Sequence, residues 1–332
     1  MIRKQLILSV ICALFLMSCG DGASSNNTEN KAVVKDKPIP TFNADSAYNY
    51  VQKQVDFGPR VPNTMSHDMC GAYIANELQR HGAKVTEQKM TVYAYDGTAL
   101  NGVNIIGSIN PEIRTRVILA AHWDTRQVAD QDEDKSRQNE PILGANDGGS
   151  GVGVLLEVAR AIGNSPNKPK VGVDIIFFDV EDYGRPAFEK DQSGDSGYCL
   201  GSKYWAENPH VDGYSAYYGI LLDMVGAKNP SYLKEGVSMY FAPRIVRKVW
   251  KTAQRKGYGE FFVDQKGPQL TDDHLYVNEI AKIPMIDIID LDPSGAETFF
   301  KHWHTHNDNM DAIDKKSLEA VGVTLLQVLY NE

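Results

Sequence analysis

Three short segments of the chain, residues 116–121 (RVILAA), 173–178 (VDIIFF) and 218–222 (YGILL), are nearly continuous apolar runs of strand length. A strand with one wet face alternates apolar and polar residues, so unbroken runs of this kind read as central strands buried on both faces. Between and after them, Leu155, Val158, Ala159 and Ile162 recur at helical spacing, as do Leu318, Val321, Leu325 and Leu329. Strands alternating with helices imply an α/β fold: a three-layer α/β/α sandwich with a central mixed, mostly parallel sheet.

In such sheets the chemistry sits at the carboxyl ends of the strands. The first run leads into His122 and Asp124, the second into Asp179, Glu181 and Asp182, and the third into Asp223. A fourth, Ile283-Pro284-Met285-Ile286, leads into Asp287. Each residue has a plain reading by itself. His122 suits a satisfied core histidine, Asp147 in Asn146-Asp147-Gly148-Gly149 suits a turn, and His302-Trp303-His304-Thr305-His306 suits an exposed metal-binding tract. As a set they repel one another unless a cation sits among them, and mixed Asp/His ligation is what zinc accepts. The sequence shows no internal repeat, no phosphate-cradling Gly-rich loop and no second domain boundary.

The 332 residues allow one large α/β domain, and 42% hydrophobic with 23% charged residues is ordinary globular composition. A formal net charge of -9 argues against a nucleic-acid partner, which clustered Lys and Arg would meet. Met1-Ile2-Arg3-Lys4 and the apolar run Leu6 to Met17 have the layout of a secretory signal, too short to span a bilayer. That run ends in Leu16-Met17-Ser18-Cys19, which resembles a bacterial lipobox. The expected organisation is a lipoprotein signal peptide over residues 1–18, a lipid anchor on Cys19, a flexible tether over 19–40 and a catalytic domain over 41–332. The protein is then expected in the bacterial cell envelope, facing the periplasm, as a monomer. Cys12 falls in the signal, and Cys70 and Cys199 are expected as buried free thiols.

The motifs His122-Trp123-Asp124, Gly144-Ala145-Asn146-Asp147, Phe177-Phe178-Asp179-Val180-Glu181-Asp182 and Trp303-His304-Thr305 resemble those of the zinc aminopeptidase superfamily. Within it, Gly58-Pro59-Arg60, Gly201-Ser202-Lys203, Leu222-Asp223-Met224-Val225-Gly226-Ala227 and Asp272-Asp273-His274 are similar to the glutaminyl cyclases, from about Phe57 onward. The resemblance implies one Zn2+ on Asp147, Asp182 and His304, Glu181 as general acid/base, Asp223 and Asp272 as an acidic network beside it, and Trp303 in the substrate pocket. It implies conversion of N-terminal glutamine of peptides and proteins to pyroglutamate with release of ammonia. The chain departs from the animal enzymes, which carry Glu where Asp182 stands and His near Asp287. The alternative is a two-zinc aminopeptidase, because His122, Asp147 and Asp223 would complete a second site. A binding protein on a decayed enzyme fold would be expected to have lost ligands or Glu181, and it has lost neither.

Overall fold

The computed structural model describes residues 38–332, apart from 192 and 297. The expected signal segment, Cys12, Cys19 and most of the expected tether lie outside the described residues. Eight strands are β1 (Lys84–Tyr93), β2 (Ala99–Ile109), β3 (Arg116–His122), β4 (Gly172–Phe178), β5 (Tyr218–Asp223), β6 (Tyr232–Lys234), β7 (Phe262–Lys266) and β8 (Met285–Ile289) among the described residues. The helices are α1 (Ala44–Asp56), α2 (Met65–Arg80), α3 (Gly149–Asn164), α4 (Leu200–Glu207), α5 (Gly236–Phe241), α6 (Pro243–Arg255), α7 (Asp273–Glu279) and α8 (Lys315–Tyr330).

The main sheet has the order β1-β2-β4-β3-β5-β8. β4, β3, β5 and β8 are mutually parallel, and β2 and β1 extend that core antiparallel. Alternation along the central strands sends side chains into two cores. Val117, Leu119 and Ala121 join the larger one, with apolar residues of α1, α3 and α8. Ile118 and Ala120 join the smaller one, with Trp205 of α4 and Val277 of α7. Helices therefore cover both faces, as the unbroken apolar runs require. β6 and β7 form a separate parallel pair.

Local chemistry starts the helices. Asn43 caps α1 by accepting from Ser46 N, and Thr64 caps α2 by accepting from His67 N, satisfying amides that have no partner within the helix. α3 instead starts at Gly148, whose φ of +80° suits glycine; a Cβ there would run into the Asp124 carbonyl. No side chain at that position would let the first turn of α3 close onto the end of β3.

The strand-end expectation needs one correction. His122 and Asp223 terminate β3 and β5, and Asp179, Glu181 and Asp182 follow β4. Asp287 does not follow β8; it lies within it, paired in register with Leu221 and fully buried. A buried Asp in the middle of an apolar strand looks like that strand's end when only the sequence is read.

Candidate metal centre and active site

Three chain segments meet where β3, β4 and β5 end. The loop before α3 brings Asp147, the loop after β4 brings Glu181 and Asp182, and the segment before α8 brings Trp303 and His304. One ligand atom from each of Asp147, Asp182 and His304 lies within 4.8 Å of the others, and all three residues are buried. His304 Nε2 stands 3.1 Å from Asp182 Oδ1 and 3.7 Å from Asp147 Oδ2. A second group of the same kind, His122, Asp147 and Asp223, shares Asp147. There His122 Nε2 lies 3.0 Å from Asp147 Oδ1 and 3.3 Å from Asp223 Oδ1.

The residues present suit a bound divalent ion. Asp147 Oδ2, Asp182 Oδ2, Asp223 Oδ1 and both ring nitrogens of His122 are buried without an aligned hydrogen bond, although opposite partners stand close by. Lone pairs that converge on a point rather than on each other's protons fit a cation, since an unpartnered buried polar atom is costly. Burial raises Asp182, with Asp147 adding to the rise and His304 and Arg126 opposing it. Burial also raises Asp223 to about 7, against His122, with Asp272 and Asp147 reinforcing the rise. Burial alone would lower His122, but the close carboxylates of Asp124, Asp147 and Asp223 outweigh it and lift the imidazole well above its ordinary value. Carboxylates crowded this closely ionise together only beside a positive charge.

Glu181 is the carboxylate beside these groups that belongs to neither of them. Its Oε1 accepts from the Cys199 thiol at 3.2 Å, and its Oε2 lies 3.8 Å from His122 Nδ1. Burial pushes Glu181 well above the usual carboxylate range; His122 opposes this, and Asp182, Asp273 and Asp272 reinforce it. Asp272 caps α7, accepting from Asp273 N, and one of its oxygens lies in a group with Glu181 and Cys199. Trp303 stacks on the ring of His304, centroids 3.7 Å apart, and also packs on Phe299. Cys70 and Cys199 are both buried free thiols.

Other residues of the expected set do different work. Asp179 turns away from the cluster and accepts from His67 Nε2 at 2.9 Å and from Val103 N at 2.6 Å. His306 pairs with Asp132, at 2.8 Å, and His274 with Glu235, at 3.0 Å. Supporting residues complete the site, Asp308 without a signal in the sequence and Arg60 from the Gly58-Pro59-Arg60 motif. Asp308 accepts from Asn146 N at 2.7 Å and from Asp147 N at 3.0 Å. Arg60, fully buried, donates to the carbonyls of Trp123, Leu143 and Gly144, tying the end of β3 to the loop that carries Asp147.

The backbone is strained around the same residues. Val180, Cys199, Met224 and His304 all have positive φ, at 52°, 59°, 49° and 56°. For residues with a Cβ this costs roughly 1–2 kcal/mol each, and Val180 is β-branched as well. Such strain persists where surrounding contacts over-determine it, which is typical of functional loops.

Comparison with known proteins agrees with this geometry. Residues 104–329 match the model of peptidase family M28. The structure superposes on a glutaminyl cyclase from Bacteroides thetaiotaomicron, solved with N-acetylhistamine, at 56% identity and a TM-score of 0.86, covering 89% of this chain and 100% of that one. The chain belongs to the glutaminyl cyclase branch of peptidase family M28. A Drosophila melanogaster glutaminyl-peptide cyclotransferase is 25% identical over 277 residues, 77% of this chain and 72% of that protein. A structure described as a leucine aminopeptidase precursor, also from Bacteroides thetaiotaomicron, is 55% identical with a TM-score of 0.85, covering 89% of this chain and 99% of that one. Chains similar to this one are thus described under both activities.

Proposed function

We propose that the protein is a zinc-dependent glutaminyl-peptide cyclotransferase, which closes the N-terminal glutamine of peptides and proteins into pyroglutamate. The observation that carries the reading is the buried Asp147, Asp182 and His304 group with Glu181 beside it, in a chain 56% identical to a solved glutaminyl cyclase. Asp147, Asp182 and His304 hold the zinc. Zinc in such a site acts as a Lewis acid that polarises a substrate carbonyl.

The chain's own residues do the rest. The α-amine of the substrate attacks its own γ-amide carbon; the new C–N bond closes the lactam, and the old C–N bond breaks to release ammonia. Glu181 takes a proton from the attacking amine and returns it to the departing nitrogen, so no proton is consumed overall. A burial-raised carboxyl beside a cation is suited to that two-way role. Asp272 stands beside it and Asp223 beside His122, together forming the acidic network, and Trp303, held against His304, forms a wall of the pocket. Because both reacting groups belong to one residue, the site has only to fold the glutamine side chain back on its amine and exclude water.

The second reading is a two-zinc aminopeptidase, favoured by the convergence of His122, Asp147 and Asp223. Incubation with a Gln-initiated and, separately, a Leu-initiated peptide decides between them. Ammonia release with the peptide chain intact supports the cyclase; release of free leucine overturns it. We also propose that Cys19 carries a lipid that holds a monomeric enzyme at the cell envelope, facing the periplasm. The basis is the Leu16-Met17-Ser18-Cys19 signal.

A further inference from the structure

We infer that Arg126 and Asp130 form a positioning pair for the metal centre, one buried ion pair that fixes two of the three ligands, His304 and Asp182, at once. Arg126 and Asp130 are 0% and 6% exposed, and the guanidinium grips the carboxylate with two bonds, Nε to Oδ1 at 3.1 Å and Nη2 to Oδ2 at 2.7 Å. On one side, Asp130 Oδ1 lies 3.2 Å from His304 Nδ1. On the other side, Arg126 Nη1 donates to the backbone carbonyl of Asp182 at 2.9 Å and to that of Gly184 at 3.0 Å, and lies 3.7 Å from Asp182 Oδ1. Asp130 Oδ2 also accepts from Ala187 N at 2.7 Å, so the loop beyond Asp182 is bound at both ends of the pair.

The consequence for His304 follows from its two nitrogens. The Asp130 carboxylate, 3.2 Å from Nδ1 though not aligned with it for a hydrogen bond, favours the ring proton there and leaves the Nε2 lone pair toward Asp182 and Asp147, the orientation a metal-ligating imidazole needs. His304 also adopts a positive φ of 56°, a backbone conformation that persists where surrounding contacts hold it. Gln131 supplies a further tie, its N–H donating to the His304 carbonyl at 3.3 Å. A guanidinium suits the other half of the task, because its planar fork reaches a carboxylate and neighbouring carbonyls together, which an ammonium cannot.

This inference rests on the zinc reading above, and its test separates the two. Zinc affinity of the full chain is measured by chelator competition for wild type, Asp130→Asn, Asp130→Glu and Arg126→Lys, with thermal melts of each in the zinc-stripped and zinc-loaded forms. Asp130→Asn keeps the size of the side chain and an acceptor for Ala187, but no longer presents a charged acceptor to both His304 and Arg126. Zinc affinity should fall about 10–100-fold in Asp130→Asn, the usual effect of losing a group that orients a ligand. It should fall less in Asp130→Glu, which keeps the charge, and the stabilisation conferred by zinc should shrink in step. Turnover should recover when zinc is supplied in excess. Wild-type affinity in both Asp130 variants overturns the inference, and so does an equal fall in melting temperature with and without zinc, which marks a purely structural pair. If Asp130→Asn does not fold, Arg126→Lys and Asp130→Glu decide by the same criterion. Wild type that binds no zinc overturns the zinc reading itself, a result distinct from variants that bind like wild type.

Discussion

Replacing Glu181 by Gln separates proton transfer from every other duty of that side chain. Cys199 donates to Glu181 Oε1, and an amide oxygen can accept the same bond at the same place. The main-chain ties, Glu181 N to Asp124 Oδ1 at 3.0 Å and Cys199 N to Glu181 O at 2.8 Å, do not involve the side chain. Shape and packing are thus retained, while the group that takes and returns a proton is removed. Loss of a general acid/base costs about 10²–10⁴-fold in turnover, or about 3–5 kcal/mol of barrier at 1.36 kcal/mol per tenfold. Glu181 stands outside the Asp147, Asp182 and His304 group, so zinc content should not change. KM should move little, because the lost interaction is used only as the proton moves. The assay is ammonia release from a Gln-initiated peptide beside metal analysis of the same sample. Asp182→Ala is the control and should lose zinc and activity together. A Glu181→Gln protein with zinc in place and most of its turnover would show that another group moves the proton.

Metal analysis of active wild-type protein should return close to one zinc per chain; two tightly bound equivalents, both needed for turnover, would turn the His122, Asp147 and Asp223 group into a working second site and favour the aminopeptidase. Cys19→Ser should shift the expressed protein from the detergent phase to the aqueous phase or leave it unprocessed, and an unmodified mature N-terminus elsewhere, read by mass spectrometry, would remove the anchor. Asp290 gives a pH test away from the centre. Burial raises it from 3.8 to about 6, against a bond from Ser231 N. With the folded value above the unfolded one, its contribution is fully present below about pH 4 and is lost as pH rises through about 6. The loss at pH 8 is on the order of 3 kcal/mol at 1.36 kcal/mol per pH unit. Asp290→Asn should therefore be the more stable protein in denaturant at pH 8 and match wild type near pH 4; equal stability at both would show that Asp290 is not held as reasoned.

The parts of the fold legible in the sequence are those whose cause is local. β3, β4 and β5 are buried on both faces, so their apolar runs are unbroken, and α3 and α8 each repeat apolar residues at one spacing. β1 has only Met90 buried among its ten residues, so no such run marks it, and β6 and β7, at three and five residues, are too short to carry a pattern. Glu181, Asp182 and Asp223 were legible because they stand at or just past the ends of recognisable strands. Asp147 and His304 sit in loops and were found by resemblance to a family's motifs. Arg126, Asp130 and Asp308 had no local signal. Arg126 and Asp130 bond each other four positions apart, but the site groups that these residues hold lie far along the chain, as with the Arg126 bond to the Asp182 carbonyl across 56 positions and the Asp308 bond to Asn146 N across 162.

Those distant contacts follow one design that explains why the centre keeps its shape. Asp124 accepts from the consecutive amides of Glu181 and Asp182, at 3.0 and 3.1 Å, and Asp308 accepts from those of Asn146 and Asp147, at 2.7 and 3.0 Å. In each case one buried carboxylate takes two successive backbone N–H groups and so fixes the turn that aims a ligand. Both amides of each turn are satisfied by a carboxylate oxygen, and this offsets the positive φ of Val180 just before Glu181. The arrangement also leaves Oδ2 of Asp147 and of Asp182 without a hydrogen bond, since the loops are held by their backbones rather than by the side chains that face the centre. A ligand that spent its carboxylate on holding its own loop would have none left for a metal. Here holding the loops and facing the cavity fall to different carboxylates.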